Sequence, residues 1–110
     1  MSVLHEVMRR GAQLKVFEQR SDSDNYKELV FYNTDLRQWR SIFDEVFGPE
    51  SKPAGKSPTA ADKKMTKDYG GIHSEQTLYK RYDGDQIVIA MLWPWGDGKH
   101  TTLKMASFKN

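Results

Sequence analysis

The chain has 110 residues, of which 37% are hydrophobic, 12% aromatic and 29% charged, and it has no cysteine. That length allows one domain of ordinary size, and thirteen aromatics lift it out of the disordered class. The zero cysteine count excludes disulfides, thiolate metal sites and thiol nucleophiles, and a formal charge of +2 is too balanced to mark a nucleic-acid binder by itself.

That charge is unevenly placed. Residues 1–50 carry a balance of −2, residues 51–70 one of +3 and residues 71–110 one of +1. The start, MSVLHEVMRRG, lacks the pattern of a signal peptide, because Arg9 and Arg10 interrupt any apolar run. The longest apolar run, Ile87 to Pro94, is far short of the roughly 20 residues that span a bilayer. The expected compartment is the cytoplasm, with no membrane partner.

Val3, Leu4, Val7 and Met8 recur at helical spacing, so Ser2 to about Arg10 predicts a short helix capped by Ser2 and stopped at Gly11. Residues 13–20 alternate around Leu14 and Val16 and predict a strand, with a continued helix as the competing reading. The cluster Ser21 to Asn25 is turn chemistry. YKELVFY, residues 26–32, predicts a second strand, paired to the first as a hairpin.

The clearest helix is residues 34–47. Asn33, Thr34 or Asp35 can cap it, and Leu36, Trp39, Phe43, Val46 and Phe47 share a face. Gly48 and Pro49 then stop it. Residues 49–71 hold three of the four prolines and little that is apolar beyond Met65 and Tyr69. They predict a flexible Lys/Pro/Gly-rich loop, with a brief polar helix at 60–67 that nothing would hold to a core.

The C-terminal part predicts a β-meander: Thr77–Tyr82, Asp85–Trp95 and Lys99–Phe108. Two-residue turns at Asp83-Gly84 and Asp97-Gly98 set the registers. Lys80 then faces Ile87 and Leu78 faces Ile89, while Leu92 faces Leu103 and Ala90 faces Met105. Both faces of the middle strand come out apolar, which is unusual for a one-sided antiparallel sheet. The fold class is α+β, one domain over 1–110, in the order αββαβββ, with a largely antiparallel sheet and two helices.

Chemical motifs are weak. Gly55-Lys56-Ser57 lacks the upstream glycine of a phosphate loop, since Glu50 stands in its place. Asp22 and Asp24 open a calcium-loop spacing that Tyr26 and Lys27 do not continue. His5, His73 and His100 are scattered, with no close metal-ligand pair. Ser57 and Ser74 lie near His73 in sequence, but adjacency in a loop carries no catalytic geometry. The sequence therefore predicts no catalytic residues, no cofactor and no metal.

The functional expectation is a small non-enzymatic interaction module. It would bind a protein partner, or a second copy of itself, through the second face of the meander. That face carries Lys80, Tyr82, Met91, Trp93, Trp95, Lys104 and Phe108. The competing reading is single-stranded nucleic-acid binding, with Tyr82, Trp93 and Trp95 stacking bases, Lys80, Lys104 and His100 meeting phosphates, and the Lys-rich loop adding phosphate contacts.

Overall fold

β-Branched and aromatic residues place five strands in one sheet: β1 (Val16–Asp22), β2 (Tyr26–Tyr32), β3 (Thr77–Asp83), β4 (Gln86–Pro94) and β5 (His100–Lys109). In the computed structural model, which describes residues 2–110, their spatial order is β1-β2-β5-β4-β3, and every neighbouring pair is antiparallel. Three helices complete the α+β domain: α1 (Val3–Arg10), α2 (Leu36–Phe47) and α3 (Ala60–Thr66).

Helices α1 and α2 both pack on one face of the sheet. The Ser2 side chain accepts from the His5 amide at 3.1 Å, as expected of a cap. Val3, Leu4 and Val7 are buried on the inner side of α1. Trp39, Phe43 and Val46 do the same for α2, against Leu29, Phe31, Tyr79, Val88, Ala90, Leu92, Leu103 and Met105. The expected side-chain cap of α2 is absent: a single 3-10 turn, Asn33–Asp35, leads into it without a capping bond. Asn33 Oδ1 instead accepts from Thr101 Oγ1 at 2.6 Å, which ties the helix entry to β5. Gly11, after α1, lies against the ring of Trp39, where an added Cβ would come within 2.5 Å of Cη2.

The β4–β5 register is the expected one, with Leu92 opposite Leu103 and Ala90 opposite Met105. The first meander hairpin differs: Lys80 faces Ile89 and Asp83 faces Gln86, so the turn is Gly84-Asp85. The reason is backbone sterics. A turn on Asp83-Gly84 of the expected kind needs positive φ at both residues. The observed turn needs it only at Gly84, where φ is +63°, and no non-glycine residue among those described has positive φ. The shift is by two, so every side chain keeps its expected face.

The second face is where expectation and structure part. After α2 the chain reaches the outer edge of β3, where Lys52 forms a bridge with Leu78. It then runs over the opposite face as a strap, residues 53–75, before entering β3. Met65, Tyr69 and Ile72 pack there with Leu78, Ile87, Ile89, Met91, Ala106, Trp93 and Phe108. The expectation that a helix at 60–67 would have nothing to hold it to a core is therefore corrected. Three apolar side chains at intervals of four and three residues are enough to seat it.

Polar groups close the strap's base. Lys52 is 1% exposed, and its Nζ donates to the carbonyls of Pro53, Ser74 and Gln76 at 3.0, 3.0 and 2.5 Å. Three acceptors match the three donors of an ammonium. Burial lowers the Lys52 pKa, with Asp62 and Glu75 opposing that shift. Within the strap, Thr59 and Asp62 form a reciprocal capping box on α3.

Candidate aromatic recognition patch

The face residues singled out in the sequence do not form one surface. Met91 is fully buried beneath the strap. Phe108 stacks on Tyr69 of the strap, with centroids 5.8 Å apart. Trp93 is partly covered: Gly70 sits on its ring, and Lys104 Nζ lies 3.5 Å from its centroid. Lys104 also donates to the Tyr69 carbonyl at 3.1 Å, and burial lowers its pKa. Lys80 and Tyr82 stand on the edge strand β3 opposite Ile89 and Ile87, with the lysine 5.6 Å from the tyrosine centroid and Tyr82 59% exposed. Trp95 belongs to a different group.

That group is built by β1. Its register against β2 shifts twice, between Val16 and Glu18 and between Gln19 and Ser21, leaving Phe17 and Arg20 without partners. Each shift inserts one extra residue, which bends an edge strand and re-aims a side chain. Phe17 meets Tyr32, Trp95 and His100 at centroid distances of 5.8, 6.0 and 4.4 Å. Its ring stands nearly perpendicular to those of Tyr32 and Trp95, at 84° and 86°, an edge-to-face geometry favoured by ring quadrupoles. Arg20 places its guanidinium carbon 5.7 Å from the Trp95 centroid.

The supports of these residues are explicit. Asp97 in the β4–β5 turn accepts from the Lys99 and His100 amides at 2.8 and 3.1 Å, and its other oxygen meets His100 Nδ1 at 2.6 Å. Those donors hold the Asp97 carboxyl below its ordinary range, the Lys99 amide most of all. Trp95 Nε1 donates to Thr102 Oγ1 at 2.8 Å. Arg20 is held by Glu18 at 2.9 Å and by Glu28 at 3.5 Å. Phe17 remains 47% exposed, and with Tyr82 it is one of the two exposed large hydrophobics among the described residues.

Phe17, Arg20 and Tyr32 were missed in the sequence. One signal was present: Phe17 directly follows Val16 and so breaks the period-two alternation that a regular strand would keep. The clustering of Tyr32 with His100 comes from the β2–β5 register, in which they are partners.

Other concave regions are open grooves. One, of about 780 Å3, runs along the solvent side of α2 past Asn33, Arg37, Arg40, Ser41 and Asp44. Ser57, His73 and Ser74 line another with Lys63 and Glu75, and no hydrogen bond joins either serine side chain to the imidazole. No group of three His, Asp or Glu able to hold a metal occurs among the described residues. No described helix is long and apolar enough to cross a membrane. Compared with family models, curated proteins and solved structures, the chain matches none.

Proposed function

We propose that the chain is a non-enzymatic recognition module that holds a protein partner against Phe17, Arg20, Tyr32, Trp95 and His100. The observation that carries this reading is the pair of register shifts in β1. An edge strand can be blunted with charges and bulges alone. Here the same irregularities also deliver a large aromatic and a guanidinium to one spot, and leave the aromatic half in solvent. Bulges that re-aim side chains are a recurring device beside functional sites. Rings braced by neighbours lose little freedom on binding, which suits them as anchors.

The charged neighbours favour protein over nucleic acid. Glu18, Glu28 and Asp97 all make contacts within the patch, and a phosphate backbone would be repelled by them. Two of the lysine and tryptophan residues expected to serve a nucleic acid, Lys104 and Trp93, lie against the strap.

The test is site-specific photo-crosslinking in the cell of origin, with a benzoylphenylalanine in place of Phe17 and, as control, of exposed Lys56. One discrete protein adduct from position 17 alone, lost on Trp95→Ala, is the expected result. Equal adducts from both positions would refute the reading. So would salt-dependent binding of a short oligothymidylate that quenches tryptophan fluorescence and is lost on Trp95→Ala.

A further inference from the structure

We propose that the strap, residues 53–75, is a hinged cover that opens as a unit and exposes the apolar strip of Leu78, Ile89 and Met91 while the helical side of the sheet stays folded. The inference concerns the covered part of the second face and does not depend on the aromatic patch.

The strap is closed at its base and self-sufficient along its length. The Gly55 amide donates to the Ser74 carbonyl at 2.7 Å, and Lys52 holds the Pro53, Ser74 and Gln76 carbonyls. Both ends are thus stapled together at the β3 edge, as in a compact surface loop. Inside, the bonds are local: the Thr59–Asp62 capping box, Thr66 Oγ1 to the Asp62 carbonyl at 2.9 Å, and the Gly71 amide to the Thr66 carbonyl at 2.9 Å. Lifting the loop breaks none of these.

What holds the far end is a small latch. Tyr69 is stacked between Tyr26 and Phe108, with centroids 5.6 and 5.8 Å away. Lys104 bridges the Trp93 ring and the Tyr69 carbonyl. Only Met65, Tyr69 and Ile72 add apolar contact, whereas the opposite face is closed by the interlocked aromatics of α2. An indole N–H is buried without a partner on each face, Trp93 Nε1 here and Trp39 Nε1 under the helices, so the burden particular to the closed strap is Lys104, kept partly from water where it bonds the Tyr69 carbonyl. Segments with few buried contacts open at lower free energy than the core around them.

The absence of native cysteine makes the test direct. Met91→Cys and Leu103→Cys place single thiols at two fully buried positions, one under the strap and one under α1 and α2. Native-condition labelling with a thiol reagent should be about tenfold or more faster at position 91 than at position 103. Adding Tyr69→Ala should raise the rate at 91 about tenfold further and leave 103 unchanged. Should Met91→Cys fail to fold, Ile89→Cys serves as the reporter. Equal rates at the two faces, or acceleration of both by Tyr69→Ala, would mean that only global unfolding exposes the strip, and the hinged cover would be wrong.

Discussion

The contact between strap and sheet can be isolated with two adjacent glycines. Gly70 has φ of +96° and Gly71 has φ of +78°. Alanine is strained at both, by about 1–2 kcal/mol in the left-handed region. Their surroundings differ. A Cβ at Gly70 would lie 2.6 Å from Trp93 Cη2 and 2.8 Å from Lys104 Nζ, whereas one at Gly71 meets nothing within 4 Å. The Lys104 ammonium is the end of a flexible side chain and can swing aside, but the indole is rigid and packs against the apolar residues under the strap, so it is the neighbour that resists. Forcing extra volume into such a contact costs about 1–3 kcal/mol more. Gly70→Ala should therefore cost about 2–5 kcal/mol and Gly71→Ala about 1–2 kcal/mol, read from urea unfolding midpoints at an unchanged m-value. If the two variants agree within about 0.5 kcal/mol, the strap does not press on Trp93 and the seating described above fails.

Phe43 is fully buried between Trp39, Phe47 and Tyr79, so Phe43→Ala should cost about 3–5 kcal/mol in denaturant unfolding. A loss under half a unit would show that α2 does not seat its aromatic stripe on the sheet. Tyr79 supplies the pH test. Burial, first among several causes, raises its phenol from 10.0 to about 12, so the folded state keeps the proton longer than the unfolded chain. Its contribution is whole below the unfolded pKa and is lost as pH rises towards the folded one. Between roughly pH 9 and pH 11 the wild type should lose on the order of 1 kcal/mol relative to Tyr79→Phe. Parallel stability curves for the two proteins over that range would place the phenol in water.

Much of the fold was legible because its signals are local. α2 is bounded by its apolar period and by Gly48, whose amide closes on the Asp44 carbonyl at 3.0 Å. The β4–β5 register is set across a short turn, and both faces of the meander sorted correctly. The β3–β4 register was ambiguous because an Asp-Gly-Asp run supports a turn beginning at either Asp83 or Gly84. The strap's grip was hidden because Met65, Tyr69 and Ile72 keep helical spacing while lysines and prolines dilute the segment around them. The aromatic patch was the least legible part. It requires Phe17 from β1, Tyr32 from β2 and His100 from β5, and pairing between distant segments leaves no local trace.

The strand order also dictates a sequence of events in time. β5 is the last of the five strands to be synthesised, yet it lies in the middle of the sheet, flanked by β2 and β4. Until it leaves the ribosome, the β1–β2 hairpin and the β3–β4 hairpin are separate ribbons, each with a naked inner edge. Neither is stable alone in water. Chain closure is thus a single late insertion that joins two halves at once, and the nascent chain must survive with both edges open until then. Completion of the sheet therefore waits for residues 100–109, without which the two hairpins share no edge.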